Sequence, residues 1–341
     1  MRIAVDAMGG DHGPSVVVEG AVRAAREYGY EIIFVGDEPA IRKELALHHT
    51  VGLKLAIVHT TEVITMDESP AQACRQKKDA SICRAAHLVA ENKAEAFVSA
   101  GNSGAALTSA LMYLRRLPHV SRPALAVVMP SLTGISVILD VGANVDCKPK
   151  HLYQFALMGS VYVRDIFGKP SPRVGLLSIG EEETKGNELT LAAFKLLEKD
   201  GTNFIGNVEG RDIIKGRADV VVCDGFVGNV LLKFGEGLAE AMFTLIKEQI
   251  GGHPVRRLAA LFLRGVFRNI KKRTAYDEYG GAPLLGVNGV CIICHGLSNA
   301  KAIKNAVKLA AWSVERKVNE HISREIDRHR HRWLLGVKES V

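Results

Sequence analysis

The sequence predicts an α/β protein in which a mainly parallel β-sheet is covered by helices on both faces, giving three layers. Short apolar runs rich in β-branched residues alternate with helical patterns over most of the 341 residues. This alternation is typical of parallel strands joined by helical crossovers. No internal repeat, low-complexity tract or long Pro/Gly/Ser linker divides the chain, so we expect one catalytic domain over residues 1–341.

Each predicted strand is a short apolar run with turn-forming residues close by. The predicted strands are residues 3–5, 32–35, 55–58, 96–99, 125–129, 136–139, 174–178, 219–223 and 290–294. Residues 251–283 interrupt this pattern as an amphipathic excursion, and residues 298–333 form a closing helical region. In such sheets ligands bind beyond the carboxyl ends of the strands, so the residues after each strand are the candidate site residues.

Charge and cysteine content narrow the class of protein. The chain has 44 Lys and Arg against 37 Asp and Glu, a formal net charge of +7. Residues 256–273 contain seven basic residues and no acid, which indicates an anionic partner such as a membrane, an acidic protein or nucleic acid. The six cysteines form no disulfide framework, and neither a signal peptide nor an apolar run of about 18 residues is present. We expect a cytoplasmic protein.

The first candidate site is the segment SAGNSGA at residues 99–105, where a predicted strand turns into a helix. The phosphate-binding candidates in it are Gly101, Asn102, Ser103 and Gly104. Backbone N–H groups and the positive end of the helix dipole at such a turn suit an anion. An ordinary strand-to-helix turn would have the same composition, and the segment also comes close to the nucleophile elbow of serine hydrolases.

A serine hydrolase is therefore an alternative, with Ser103 as nucleophile and His295 as base. Either Asp140 or Asp224 would supply the acid in the chain order of that class. Position 105 is Ala where the elbow motif has Gly, which weighs against this chemistry. We therefore expect Ser103 to contact phosphate or to be structural.

Two further segments follow predicted strands and carry polar side chains. In GEEETKGN at residues 180–187, Lys185 would hold a phosphate or stabilise charge that develops on a carbonyl oxygen. In DGFVGN at residues 224–229, Asp224 and Asn229 would form part of a polar ligand site. The alternatives are a solvated capping segment around Lys185 and a plain helix N-cap at Asp224.

Acids and glycines also occur together in DAMGGDHGP at residues 6–14 and in DVGAN at residues 140–144. Their carboxylate oxygens are of the type that binds a divalent metal. Acid-plus-glycine turns are common without one, so we predict no metal and no cofactor.

Residues 255–273 form an amphipathic pattern when they are projected on a helix. One face is apolar, and the opposite face is basic without any acid. The residues expected at the membrane surface are Leu258, Phe262, Val266, Arg257, Arg264 and Arg268. We expect this element to lie on an anionic membrane, although a dimer contact or a core-packed helix would share the apolar stripe.

Taken in order, these segments resemble the phosphate acyltransferase (PlsX) family of phospholipid synthesis over essentially the whole chain. The matching segments are DAMGGDHGP (6–14), residues 70–79 with Arg75, Lys77 and Lys78, SAGNSGA (99–105), DVGAN (140–144), GEEETKGN (180–187), DGFVGN (224–229) and YGGAPLLGVNG (279–289). The resemblance implies a homodimer with the fold of phosphotransacetylases and of isocitrate and isopropylmalate dehydrogenases. It also implies transfer of a fatty acyl group from acyl carrier protein to inorganic phosphate, giving acyl phosphate and free carrier.

The resemblance places Lys185, Asp224 and Asn229 at the reaction centre and residues 101–104 at the phosphate. No covalent enzyme intermediate is required, because phosphate is a competent nucleophile and thiolate a fair leaving group. The partners implied are acyl carrier protein, phosphate, a second copy of the chain, the membrane surface and a downstream membrane glycerol-3-phosphate acyltransferase, without nucleic acid. Two further alternatives stay open: a relative of the same fold that uses a short acyl-CoA or a metal-bound hydroxy acid, and a non-catalytic scaffold that docks on membrane or RNA.

Overall fold

A computed structural model describes residues 1–199, 202–274 and 276–330, without the side chains of residues 254, 257, 271–274 and 276. The described strands are β1 (Arg2–Asp6), β2 (Glu31–Gly36), β3 (Leu55–His59), β4 (Ala96–Ser99), β5 (Ala124–Ser131), β6 (Gly134–Leu139), β7 (Val174–Leu177), β8 (Phe204–Val208), β9 (Val220–Val222), β10 (Ala282–Leu285) and β11 (Val290–Ile293). The described helices are α1 (Gly13–Tyr28), α2 (Glu38–Leu45), α3 (Pro70–Gln76), α4 (Ser81–Ala90), α5 (Ser103–Ser109), α6 (Pro149–Phe167), α7 (Glu188–Glu198), α8 (Gly210–Lys215), α9 (Gly225–Gly251), α10 (Pro254–Phe262), α11 (Arg264–Thr274), α12 (Ala300–Glu315) and α13 (Val318–Arg328). A π-helical turn, Ala110–Leu114, continues α5, and a 3-10 helix covers Tyr276–Glu278.

One sheet joins the described strands in the order β3-β2-β1-β4-β11-β10-β5-β6-β9-β7-β8. The strands from β3 to β11 in this order are mutually parallel, and so are those from β6 to β8. Between these groups, β11 pairs with β10, β10 with β5 and β5 with β6, each antiparallel. Three successive reversals leave the two parallel groups running in opposite directions. Their carboxyl ends therefore lie at opposite edges of the sheet.

Both faces of the sheet are covered, as the predicted three layers require. Along β1, Ile3 and Val5 join a core cluster with α1, α6 and α12, while Ala4 joins a second cluster with α3, α4 and α5. Along β9, Val222 belongs to the first cluster and Val221 to a third one beside α8 and α9. The predicted mainly parallel α/β architecture is confirmed, but the prediction did not include the reversal of direction between the two groups.

Short polar side chains begin several helices at the carboxyl ends of strands. Asn102 Oδ1 accepts from Ala105 N at 3.1 Å at the start of α5, and Asn187 Oδ1 accepts from Thr190 N at 2.9 Å at the start of α7. Asp224 caps α9 in the same way. Such caps satisfy backbone donors that have no partner within the helix, and they fix where each helix leaves its strand.

The excursion predicted over residues 251–283 consists mainly of α10 and α11, which follow the 27-residue helix α9. The single amphipathic element predicted over residues 255–273 is divided at Leu263, next to Gly265, whose low helix propensity favours a break. Leu258, Phe262 and Val266 are exposed, and so are Arg264 and Arg268. The side chain of Arg257 lies outside the described residues. The predicted closing region contains α12 and α13, and its residues 331–333 also lie outside.

Candidate active site

The segments that carry Asp140, Lys185 and Asp224 follow three neighbouring strands. β9 lies between β6 and β7 and is parallel to both. The carboxyl ends of parallel neighbours open at one edge of a sheet, and polar loops there form ligand sites. Residues 140–144, 178–187 and 224–229 therefore lie at one edge, which we call the lysine edge.

Asp140 organises the first of these loops from the interior and is fully buried. Its carboxylate accepts hydrogen bonds from Leu125 N at 2.9 Å, Ala143 N at 3.1 Å and Asn144 N at 2.6 Å, and from Asn144 Nδ2 at 2.9 Å. Burial raises the pKa of Asp140, and the hydrogen bonds from Asn144 and the backbone amides oppose this rise. The carboxylate thus holds the 140–144 loop together and ties it to the start of β5.

The 140–144 loop is joined to the start of α9. Gly225 N donates to Asn144 O at 2.8 Å, and a β-carbon built on Gly225 would lie 2.6 Å from that oxygen. Close approach of this kind requires glycine. One turn further along α9, Asn229 Nδ2 lies 3.3 Å from a β-carbon built on Gly142. Asn229 is half-buried, so its amide is held over the loop while part of it faces solvent.

Asp224 is the N-cap of α9. Its Oδ1 accepts from Phe226 N at 3.0 Å and from Val227 N at 2.9 Å, so one carboxylate oxygen anchors the helix that carries Asn229. The side chain is half-buried at the lysine edge. The N-cap alternative weighed from the sequence is therefore correct, and any role of Asp224 in chemistry is combined with this structural one.

Lys185 is exposed at the lysine edge in a loop that is well anchored. Its backbone N donates to Glu182 O at 3.0 Å, and its carbonyl accepts from Ser178 Oγ at 3.1 Å. Asn207 Nδ2 also donates to Glu182 O at 2.9 Å. Glu181 pairs with Arg217, with 2.6 Å between Oε1 and Nη1. A fixed loop with an exposed ammonium group suits binding of an anionic substrate.

The turn at residues 99–104, which we call the glycine turn, lies between β4 and α5. The Asn102 side chain is fully engaged, because Nδ2 lies 3.2 Å from both Thr65 O and Met66 O while Oδ1 caps α5. Asn102 therefore shapes the turn, and its side chain is not directed at a ligand. Ser103 is exposed, and the N–H groups of Ser103 and Gly104 belong to the first helical turn, which lacks intrahelical acceptors.

Asp6 anchors the glycine turn through Ser99, a role that the sequence did not reveal. Ser99 Oγ donates to Asp6 Oδ2 at 2.6 Å and accepts from Gly101 N at 3.0 Å. Gly9 lies against the same turn, since a β-carbon built on it would be 2.5 Å from Gly101 N. Burial raises the pKa of Asp6, and hydrogen bonds from Ser81 and Ser99 oppose this rise. In the sequence, the only indication of this role is that Asp6 is a polar residue at the end of an apolar strand.

The structure does not bring the glycine turn to the lysine edge within one chain. β4 runs opposite to β9, and five steps across the sheet separate them. At about 4.8 Å per step the two strands are roughly 24 Å apart. The same separation sets Ser103 and His295 apart from Asp140 and Asp224, so the chain does not assemble the triad of the hydrolase alternative.

The acidic segments considered as oxygen ligands for a metal are engaged in other contacts, as Asp6 with Ser99 and Asp140 with its loop show. Within the described ranges no group of three or more His, Cys, Asp or Glu side chains is placed to hold a metal ion.

Comparison with known proteins decides the family. The profile of the family described as fatty acid synthesis protein matches residues 1–321. A phosphate acyltransferase of Pelotomaculum thermopropionicum is 54% identical over 327 residues, covering 96% of this chain and 95% of the relative. One of Geobacter sulfurreducens is 53% identical over 344 residues, covering 100% and 99%. The chain belongs to the phosphate acyltransferase family. It is therefore an acyltransferase, in a family of fatty acid synthesis.

Solved structures with low sequence identity support the fold of this family. A phosphotransacetylase from Streptococcus pyogenes matches with a TM-score of 0.62 at 17% identity, covering 92% of this chain and 94% of that one. The EutD phosphotransacetylase from Staphylococcus aureus matches with a TM-score of 0.58 at 17% identity, with the same coverage. The predicted likeness to the phosphotransacetylase fold is confirmed.

Proposed function

We propose that the chain transfers a fatty acyl group from the thioester of an acyl carrier protein to inorganic phosphate. A phosphate oxygen attacks the thioester carbonyl carbon, the C–S bond breaks, and the carrier leaves as thiolate and takes up a proton. The products are acyl phosphate and free carrier. The observation that supports the proposal is that the loops carrying Lys185, Asp224 and Asn229 follow parallel neighbouring strands of one sheet, in a member of the phosphate acyltransferase family.

The proposed roles follow from the geometry of the lysine edge. The exposed ammonium of Lys185 stabilises negative charge on phosphate or on the thioester oxygen in the transition state. The Asn229 amide, held over Gly142, is a neutral donor to the same charge. Asp224 positions Asn229 by capping α9. Because charge stabilisation and orientation suffice when the nucleophile is phosphate, no covalent enzyme intermediate is needed.

The test measures thiol release from a long-chain acyl-carrier thioester with and without phosphate. Lys185→Ala is expected to lower kcat about 100-fold to 1,000-fold, as removal of one oxyanion donor does. Lys195→Ala, which removes an exposed lysine on the neighbouring helix α7, is the matched control. Near-normal turnover of a folded Lys185→Ala enzyme would contradict the role. Phosphate-dependent release from a short acyl-CoA but not from the carrier would favour the alternative donor.

A homodimer is supported by the exposed face of α9. The apolar side chains on this face recur every four residues, and each is more than half exposed. They are Phe226, Val230, Phe234, Leu238 and Met242. A contiguous apolar stripe of this length in a soluble protein marks an interface, and a second copy of the chain can cover it by two-fold symmetry.

Membrane association is supported by the tip formed by α10 and α11. Phe262 is 84% exposed, Leu258 and Val266 are also exposed, and Arg264 and Arg268 lie near them. Basic residues near an anionic leaflet contribute about 1 kcal/mol each, and buried apolar side chains add to this. None of the described helices has the length and apolar character needed to cross a bilayer. Binding at the surface would release acyl phosphate beside a membrane glycerol-3-phosphate acyltransferase.

Phe262→Glu is expected to reduce sedimentation with anionic phosphatidylglycerol vesicles while phosphate-dependent thiol release in solution is retained. Leu47→Glu, at a position 74% exposed far from the tip in sequence, is the matched control and should bind as the unaltered protein does. Equal vesicle binding by both variants, or loss of dimer in Phe262→Glu, would assign the tip to protein packing instead.

Docking of the acidic carrier is less well supported at the basic C-terminal helix. On α13, Arg324 lies 3.5 Å from Glu320 and Arg328 lies 3.3 Å from Glu325. These pairs offset part of the positive charge that would attract an acidic carrier. The basic run of the sequence extends over residues 324–332, and its residues 331 and 332 lie outside the described residues.

A further inference from the structure

Basic side chains are concentrated beside the lysine edge, where α6 begins. Residues 115–124 contain three arginines and no acid. Arg116 and Arg122 in this segment are exposed, and so is Lys148 at the start of α6. We call the side chains of Arg116, Arg122 and Lys148 the basic surface. The roles proposed for the lysine edge involve none of them.

Buried hydrogen bonds hold the two segments of the basic surface together. The side chain of Gln154 is fully buried in α6, where Oε1 accepts from Ser121 N at 2.8 Å and Nε2 donates to His119 O at 2.9 Å. Asn144 Nδ2 donates to Pro123 O at 2.7 Å, which joins the arginine-bearing segment to the loop before α6. This segment and the start of α6 therefore form one fixed surface.

The positive charges of the basic surface act together. His151 lies in the first turn of α6, and its pKa is lowered by burial and by the positive charges of Arg122 and two neighbouring lysines. Within the described ranges, no side chain of the basic surface forms an ion pair. Asp146 is the only exposed acid in the loop before α6. The surface therefore has a positive potential that is available to an anionic partner.

Two other basic clusters of the described chain differ in this respect. Between α1 and α12, Lys304 lies 2.8 Å from Glu27, and Lys301 lies 2.6 Å from Glu278. On α13, two arginines likewise pair with glutamates. An acidic partner that bound either cluster would have to compete with these carboxylates, whereas the basic surface requires no such exchange.

We infer that the basic surface is the docking site of the acidic carrier protein that brings the acyl thioester. The inference rests on the proposed function. Charge complementarity of this kind speeds association and fixes the orientation of the bound protein. Val145 is 60% exposed in the same loop as Lys148, and it adds the apolar contact area that protein interfaces combine with a polar rim.

The position of the basic surface suits delivery to the lysine edge. Lys148 ends the loop after β6, and Lys185 lies in the loop after β7, two strands away in the sheet. At about 4.8 Å per step, roughly 10 Å separates these strands. The α10–α11 tip is at the other end of the 27-residue helix α9, about 40 Å away at 1.5 Å per residue. A carrier protein therefore fits this surface better than the membrane does.

The test compares two thioester donors that have the same acyl chain. One is the acyl carrier protein, and the other is acyl-pantetheine, which lacks the surface of the carrier. Arg116→Glu/Lys148→Glu reverses two charges, and an acidic side chain at the start of α6 is compatible with the helix dipole. This double variant should raise KM for the carrier thioester about tenfold or more. Both kcat with the carrier and the kinetics with acyl-pantetheine should stay within about twofold of the unaltered enzyme.

Lys43→Glu/Lys54→Glu is the matched control, because it makes the same change in charge at exposed lysines beside β2 and β3, at the far end of the sheet. The control should keep the KM of the unaltered enzyme. Lys148→Gln, which removes one charge without reversing it, should raise KM about threefold and serves if the double variant does not fold. Rising salt concentration should lower kcat/KM for the carrier in the unaltered enzyme, and less so in the double variant.

Three results would overturn the inference. An unchanged KM for the carrier in the folded double variant would show that the basic surface does not bind it. An equal loss with both donors would place these side chains in the chemistry instead. Loss of sedimentation with anionic phosphatidylglycerol vesicles, with KM unchanged, would assign the surface to the membrane. If the unaltered enzyme released no thiol from the carrier thioester in the presence of phosphate, the proposed function itself would fail.

Discussion

Gly225→Ala is expected to separate α9 from the 140–144 loop and to damage both stability and turnover. A β-carbon at this position would lie 2.6 Å from Asn144 O and 2.8 Å from Asp140 Oδ2. Ordinary van der Waals contact begins at about 3.4 Å, so the closest atom must move by about 0.8 Å. Neither oxygen can move easily. Asn144 O belongs to the backbone, and the carboxylate of Asp140 is buried and accepts four hydrogen bonds.

The magnitude follows from two opposing effects. Overpacking of this kind typically costs about 1–3 kcal/mol. Alanine gains at most about 1 kcal/mol over glycine in a helix, and less at its first residue. We therefore expect the free energy of unfolding to fall by about 1–2 kcal/mol. Because α9 also carries Asn229, a displacement approaching 1 Å should lower kcat on the order of 100-fold.

The assay combines urea unfolding, followed by far-ultraviolet circular dichroism at fixed protein concentration, with phosphate-dependent thiol release. Gly210→Ala is the matched control, since Gly210 begins α8 as Gly225 begins α9. A β-carbon there would meet only Leu231 Cδ1, at 3.9 Å. The control should unfold and turn over as the unaltered enzyme does. If Gly225→Ala behaved like Gly210→Ala in both measurements, the close approach of α9 to the loop would not matter and the reasoning would fail.

Three further predictions concern individual side chains. Burial raises the pKa of Asp219, but hydrogen bonds from Arg173 and Lys169 outweigh this effect and lower the pKa to about 2. In urea unfolding at neutral pH, Asp219→Asn should therefore be less stable than the unaltered protein by about 1–2 kcal/mol. That difference should disappear as pH falls from 3.8 towards 2, and a constant difference would refute the assignment. The pH dependence expected for Asp6 is the opposite, because its raised pKa favours the folded state below pH 3.8. Asp6→Asn should therefore gain stability relative to the unaltered protein as pH rises above that value. A stability difference that does not change with pH would refute this prediction. Ser103 should remain unlabelled by a fluorophosphonate, and covalent labelling would revive the hydrolase alternative.

The sheet could be predicted from sequence because its strands are short apolar runs between helical patterns. β10 was missed because it contains Pro283, lies inside the predicted excursion and pairs antiparallel on both sides. One of the three reversals, between β5 and β6, has a local signal in the chain. β5 ends at Ser131 and β6 begins at Gly134, a connection too short for a crossover and possible only in an antiparallel pair.

The rule that ligands bind at carboxyl ends of strands selected the loops of Lys185 and Asp224 as candidates, and the family resemblance grouped the two residues. The sequence could not show that the Asn102 side chain donates hydrogen bonds to the carbonyls of Thr65 and Met66, because those residues lie 37 and 36 positions away along the chain. Nor could it show that β4 and β9 open at opposite edges. Side-chain type and local spacing indicate which residues can do chemistry, while long-range pairing decides which of them meet.

Helix α9 connects the three surfaces on which the proposals depend. It begins at Asp224 on the lysine edge, carries the exposed stripe, and ends beside the α10–α11 tip 27 residues later. At 1.5 Å per residue its length is about 40 Å, so the lysine edge and the tip are at opposite ends of one helix. If two copies pair through this stripe, two-fold symmetry relates their tips. Both tips can rest on one membrane only when the symmetry axis stands perpendicular to it, which also sets both reaction sites at the same height above the bilayer.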